Sequence, residues 1–282
     1  MKISVASGKG GTGKTTVSVN LARVFESKVV LADCDVEEPN AHLFLKTSGH
    51  AEKVIGIPVP EVNEELCNSC GDCAKICQFS AIVTFGTAPL VFPEMCHGCG
   101  GCTLVCPTKA ISEKDRRIGV IETSKMDNIT LITGRLDVGV ALAPPLIRAV
   151  KNAIPEGLAA ILDAPPGTSC PVIAAIRETD VVLLVTEPTP FGLNDLELAV
   201  DMVRELNLPF GVIINRVGSG DDRVHEFCKK ESIPILMEIP DDRQIAENYS
   251  RGILMVDALP QYKKIFENLI EKITELQKKG LK

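Results

Sequence analysis

The sequence predicts an α/β fold, a mostly parallel sheet flanked by helices, interrupted by a small inserted α+β module. Three observations carry this. A glycine-rich loop, Gly8 to Thr15, lies between a short apolar run and a segment with helical spacing. Apolar runs and helical segments then alternate along most of the chain, as βα units do. Eight of the 11 cysteines fall between Cys67 and Cys106, in two runs of the same spacing. A duplication that occurs only twice marks a module, not a solenoid.

Taken in order, Lys2–Ser7 reads as a buried strand, Lys14–Phe25 as a helix through Val17, Leu21, Ala22 and Phe25, and Lys28–Ala32 as a second strand ending at Asp33. From about Ile57 the alternation breaks, with Pro58, Pro60 and then the cysteines, until about Ser112. Ile118–Ile121 and Ile129–Ile132 read as strands, with Gly134–Gly139 as a turn. Strand Ala159–Asp163, helix Val172–Arg177, strand Val181–Thr186, helix Asn194–Leu206 and strand Phe210–Asn215 follow. Helix Arg223–Lys230, strand Ile235–Ile239 and helix Arg243–Ser250 complete the alternation. Near-continuous apolar strands of this kind belong to a sheet covered on both faces.

Length and composition fit an ordinary globular chain: 282 residues, 45% hydrophobic and 24% charged. The net charge of −7 argues against a general nucleic-acid or anionic-lipid surface. No signal-peptide pattern and no bilayer-length apolar run stands out, so a cytoplasmic location is expected. In such a reducing compartment, clustered cysteines point to metal ligation and not to disulfides.

Gly8-Lys9-Gly10-Gly11-Thr12-Gly13-Lys14-Thr15 matches the G-x-x-x-x-G-K-[ST] pattern in its required strand–loop–helix setting. Glycines let backbone N–H groups curl around phosphate oxygens, and the orphan amides of the following helix favour an anion. Lys14 is expected on the β- and γ-phosphates and the Thr15 hydroxyl on Mg²⁺. Lys9 through Thr16 resembles the deviant Walker A motif of the MinD/ParA/nitrogenase-iron-protein superfamily. That resemblance implies a nucleotide-sandwich homodimer formed with ATP, in which Lys9 reaches the partner's phosphates. It also implies that Leu31-Ala32-Asp33-Cys34-Asp35 is the first switch, with Asp35 orienting the attacking water and contributing to the Mg²⁺ site. Ile161 to Gly167 resembles Walker B running into the second switch, with Asp163 holding the Mg²⁺ shell and Gly167 offering its N–H. Asn215, Arg216, Pro240 and Asp241 correspond to the adenine side.

Cys67-x2-Cys70-x2-Cys73-x3-Cys77 and Cys96-x2-Cys99-x2-Cys102-x3-Cys106-Pro107 are two copies of the bacterial ferredoxin run. Zinc sites pair two C-x2-C units into a tetrahedron, which this pattern does not fit. The resemblance implies that the fourth cysteine of each run ligates the other cluster. One [4Fe–4S] cluster then takes Cys67, Cys70, Cys73 and Cys106, and the other takes Cys77, Cys96, Cys99 and Cys102. Gln78 departs from the family's proline after the first run. The whole chain resembles MinD-superfamily ATPases with an inserted ferredoxin domain, placing the ATPase in 1–57 and 115–282 and the insert in 58–114.

Cys34, Cys170 and Cys228 read as small buried residues, and His97 as a bystander between ligands. Tyr262, Ile265, Phe266, Leu269, Ile270, Ile273 and Leu276 share one helical face, which is expected to dock on the domain's own sheet; a membrane-seeking role is the alternative. The two cysteine runs interrupt the chain between the two switches, so ATP-gated electron transfer to a redox partner is expected. Cluster assembly or delivery to an accepting protein, and positioning on a membrane or DNA, are the alternatives. The C-x2-C pair used by the superfamily's carrier branch after its ATPase core is missing here.

Overall fold

Val29-Val30-Leu31-Ala32-Asp33 is buried at every position, as a strand in the middle of a two-sided sheet must be. The computed structural model of the chain describes residues 1–280. It begins with β1 (Lys2–Ala6), α1 (Lys14–Val24), β2 (Val29–Asp33) and β3 (Ser48–Val62). The cysteine-bearing segment supplies α2 (Asp72–Ile76), β4 (Ile82–Phe85), β5 (Ala88–Val91) and α3 (Gly101–Val105). Next come β6 (Ile111–Met126), β7 (Ile129–Leu136), α4 (Ala143–Asn152), β8 (Ala159–Asp163) and α5 (Cys170–Ile176). The chain continues through β9 (Val181–Thr186), α6 (Pro190–Glu205), β10 (Phe210–Val217), α7 (Arg223–Lys230) and β11 (Ile235–Pro240). It ends in α8 (Arg243–Ser250), α9 (Met255–Ala258) and α10 (Pro260–Gly280).

Nine strands form one sheet in the order β11-β10-β9-β1-β8-β2-β7-β6-β3. The seven from β11 to β7 run parallel, while β6 and β3 are antiparallel to their neighbours. The expected α/β architecture is therefore present. One face carries α4 to α7, with Leu146, Val172, Val200 and Val224 buried against Ala32, Leu162 and Leu184. The other carries α1, α9 and α10, with Leu21, Met255, Phe266 and Ile273 packed against Ile3, Leu31 and Ile161. Tyr262, Phe266, Leu269 and Ile273 are buried there, so the apolar face of α10 is occupied by the chain's own sheet. Among the described residues no helix is long and apolar enough to cross a membrane.

Two sequence expectations are corrected, and one helix was not anticipated. The break assigned at Ile57 is a strand: β3 runs through Pro58 and Pro60 to Val62, paired with β6 from Ser48↔Lys125 to Val62↔Ile111. β3 is an edge strand, where a missing N–H on the outer side costs no ladder bond. Gly134 is not a turn residue but lies inside β7, where Val36 and Val150 approach so closely that a Cβ would fall 2.6 and 2.7 Å from their methyl carbons. Helix α4 arises where Pro144 and Pro145 interrupt the apolar pattern; prolines in a first helical turn sacrifice only N–H groups that would be unpaired anyway.

The ribbon of β3 and β6 carries the cysteine-bearing residues 63–110 at its end. It continues without interruption through 58–62 and 111–114. Its root joins the sheet beside β7, where Leu136 donates its N–H to Val36 at 2.8 Å and Asp137 donates to Ile118 at 2.9 Å.

Candidate functional site

β1 sits between β8 and β9, so the chain departs to opposite sides of it and leaves a crevice at the carboxyl ends of the strands. The loop from Gly8 to Gly13 fills that position and feeds α1. Gly13 caps the helix at φ 99°, in the left-handed region, and a Cβ there would meet Asn215 Nδ2 at 2.5 Å. Asn215 in turn donates to the Thr12 carbonyl at 2.9 Å, tying β10 to the loop. A cleft of about 450 Å³ opens above it. Its walls include Gly10, Gly11, Gly13, Lys14, Thr15 and Thr16 from the loop, with Asp35 opposite. Asn215, Arg216, Pro240 and Asp241 form the far side. Gly8, Lys9, Thr12, Asp163 and Gly167 do not line the cleft: Thr12 and Asp163 are buried, while Gly8 and Gly167 hold the loop's flanks. The Gly167 N–H is engaged by the Ser7 carbonyl at 3.0 Å, the opposite of the free donor expected of it.

The buried charges are concentrated here. Burial holds the Lys14 ammonium below its ordinary range, against the attraction of Asp163 and then Asp35. Burial likewise raises Asp163, opposed by Thr15, Lys14 and Ser18. Asp163 Oδ1 accepts from Ser18 Oγ at 3.1 Å, while Oδ2 is buried without a hydrogen-bond partner. Such an orphaned carboxylate oxygen is costly unless a cation completes it, and a hard divalent ion suits an oxygen donor beside the Thr15 hydroxyl.

Asp33 is fully buried and accepts backbone N–H bonds from Asp35, Asn40 and Ala41 at 3.0–3.2 Å. It therefore shapes the 34–41 loop, and of the two aspartates it is Asp35 that lines the cleft. Burial pushes Asp35 up to about 6 from an ordinary 3.8, opposed by Lys14 and reinforced by Asp163. In the nucleotide-free, metal-free chain the folded state thus keeps a proton that the unfolded state releases. Stability is expected to fall as pH rises from about 4 to about 6, and Asp35→Asn to flatten part of that slope. Urea midpoints of both proteins at pH 4.5 and 7 check this; parallel slopes contradict it.

Lys9 turns away from the cleft. Its ammonium lies 3.5 Å from Glu187 Oε2, and Arg216 Nη1 donates to Glu187 Oε1 at 2.9 Å. Glu187 follows β9 and was not singled out from sequence; nothing in its local spacing distinguishes it. Ser18 was missed too, although its place one helical turn after Lys14 offered a signal. Glu38 and, from the β11–α8 region, Asp242, Ile245, Ala246 and Tyr249 also line the cleft and were missed.

The cysteines gather in two small cavities. Cys67, Cys70, Cys73 and Cys106 line one, and Cys77, Cys96, Cys99 and Cys102 line the other. All are free thiols. Backbone amides point at the sulfurs, Ala81 at Cys77 (3.3 Å), Gly98 at Cys96 (3.4 Å) and Ala110 at Cys106 (3.2 Å). Burial works against the Cys77 thiolate, but the amides of Phe79, Ala81, Ile82 and Ser80 outweigh it and hold the thiol below its usual value. An all-thiol donor set with N–H···S bonds suits an iron–sulfur cubane. Ala81 and Cys96 pack in the same core as Ile57, Val59 and Val36, the residue after Asp35. His97 stacks on Phe79 at 3.6 Å.

Of the remaining cysteines, Cys34 and Cys228 are buried as expected. Cys170 is not: it opens α5 and is exposed, because Val172, Ala175 and Ile176 take the inward positions of that short helix.

Residues 3–255 match a family profile described as the CobQ/CobB/MinD/ParA nucleotide binding domain. An uncharacterized protein of Methanocaldococcus jannaschii is 33% identical over 280 residues, covering 98% of this chain and 97% of its own. A protein of Pyrococcus horikoshii named an iron-sulfur cluster carrier protein is 22% identical, covering 99% of this chain and 88% of its own. Among solved structures, the cell division ATPase MinD of Pyrococcus furiosus superimposes with a TM-score of 0.60 at 23% identity, over 98% of both chains. These structural likenesses establish the shared fold.

Proposed function

Because this chain belongs to the CobQ/CobB/MinD/ParA nucleotide-binding family, we propose that it is an Mg-ATP-hydrolysing protein coupling nucleotide-driven dimerisation to electron transfer through two [4Fe–4S] clusters. In this reading the ATPase comprises 1–57 and 115–282, and the cluster-bearing insert 58–114.

One observation carries the proposal: a cysteine of the inner thiol set, Cys96, shares a continuous core with Val36, which directly follows the cleft-facing carboxylate Asp35. A movement of the 34–41 loop therefore has a packed route to the thiol cavity, through Val36 and the root of the ribbon.

ATP phosphates would lie in the loop, with backbone N–H groups and Lys14 drawing their charge. Asp163 Oδ2 and the Thr15 hydroxyl would hold Mg²⁺, which supplies charge neutralisation between phosphate oxygens. Asp35 orients the attacking water. Lys9 of a second copy adds positive charge to the developing transition state. The two cysteine sets would each hold a cubane, which supplies one-electron chemistry. Asn215, Arg216, Pro240 and Asp241 lie on the adenine side.

Anaerobic purification with iron and sulfide analysis, followed by EPR with and without Mg-ATP, tests this directly. About eight irons per chain are expected, with a nucleotide-dependent change in reduction potential or partner reduction rate. Absence of iron, or potentials indifferent to ATP, would sink the redox half.

A second reading is delivery of a cluster to another protein. What favours it is that several relatives at 22–25% identity bear the name iron-sulfur cluster carrier protein. Against it, Cys73 and Cys96 are buried, and each cavity offers four thiols, a set suited to retention. Transfer of iron and sulfide to an apo-ferredoxin, followed by absorbance after separation, discriminates the two.

A further inference from the structure

We propose that Glu187 is the resting partner of Lys9, holding it within its own chain, with Arg216 keeping Glu187 paired once nucleotide and the second copy draw Lys9 away. The inference rests on the nucleotide-dimer reading above and adds to it a residue that controls when the dimer forms.

Glu187 ends the β9 edge of the crevice and is 8% exposed. A carboxylate so enclosed needs a cation. It has two: Lys9 Nζ at 3.5 Å and Arg216 Nη1 at 2.9 Å. The arginine contact is a hydrogen bond and the lysine contact a looser ion pair. Losing Lys9 therefore leaves the buried charge still paired, so the exchange is cheap. Arg216 is held in the left-handed region at φ 56°, and its neighbour Asn215 is bonded to Thr12 of the loop. Both line the cleft. Whatever enters the cleft thus meets the residue that shares Glu187 with Lys9. Lys9 is a positioned group here and Glu187 its positioning residue.

Glu187→Gln keeps an acceptor for Arg216 while removing the charge that holds Lys9. Two readouts separate the proposal from the reading it rests on. The first needs no dimer: acetylation of the Lys9 amine by N-hydroxysuccinimidyl acetate in the nucleotide-free chain, followed by peptide mass spectrometry. It is expected to quicken about two- to fivefold in E187Q. The second is the dimer dissociation constant with Mg-ATP, by analytical ultracentrifugation, expected to fall by a similar factor in E187Q and to lose that gain in K9A/E187Q. An unchanged acetylation rate overturns the cis contact. Weaker dimerisation of E187Q, or a gain that survives K9A, overturns the release. If neither protein dimerises with Mg-ATP, the dimer reading falls and takes the release with it, while the acetylation arm still judges the cis contact.

Discussion

Replacing Lys14 with alanine is expected to slow ATP hydrolysis by at least about 10²-fold, the scale of removing one donor from a buried charge-stabilising site. Lys14 is 7% exposed and lines the cleft, so its charge is available to a ligand. Nucleotide affinity is expected to weaken as well, since the same group meets the phosphates before and during the reaction. Folding is the control. The burial that depresses Lys14 and its attraction to Asp163 and Asp35 oppose each other, so the urea midpoint should stay close to the parent's. A fluorescent-nucleotide titration with a phosphate-release assay measures the first two. Hydrolysis at parental rate in K14A would remove the cleft from the mechanism. Asp163→Asn gives a companion result: its unpartnered Oδ2 becomes an amide or a weaker acceptor, so the requirement for Mg²⁺ should rise while nucleotide contacts persist.

The second large effect separates two cysteines that are close in sequence. Cys73 lines one thiol cavity and Cys77 the other. Cys73→Ala and Cys77→Ala are therefore each expected to lower iron from about eight to about four per chain, and the double variant to lose nearly all of it. If each run wrapped its own cluster, the double variant would retain about four. Iron and acid-labile sulfide counts settle the arithmetic, and EPR of the reduced single variants should show an isolated cluster without coupling to a neighbour. Nucleotide binding itself should survive, because the cleft is lined by residues outside the module.

Much of the architecture could be read from the chain because interior parallel strands leave an unambiguous trace. Val181–Thr186 and Ala159–Asp163 are apolar runs bounded by polar turns, and both strands have the expected limits. The loop, the carboxylate at the end of β8 and the grouped cysteines were equally legible, since each depends on local spacing. What escaped was non-local. Ile55, Ile57 and Val59 alternate as one face of a strand, but Pro58 and Pro60 hid a pattern tolerated only because β3 lies at an edge. The same masking by proline concealed α4. Glu187 gave no hint because its two partners come from the loop after β1 and the end of β10, brought together only by strand order. Cys170 was misjudged because a short helix at the sheet's rim has room to point its first residue outward.

At the tip of the ribbon, Val62 faces Ile111 and the Asn63 N–H donates to the Ala110 carbonyl at 2.8 Å. The segment's two ends are thus already the closing pair of a hairpin. Deleting the cassette between them and bridging the gap with an Asn-Gly turn would leave a continuous two-stranded arm, because such turns match the twist of antiparallel strands. The architecture is that of a graft: residues 63–110 leave and rejoin the sheet through one strand pair, so they can be exchanged as a unit without disturbing its register.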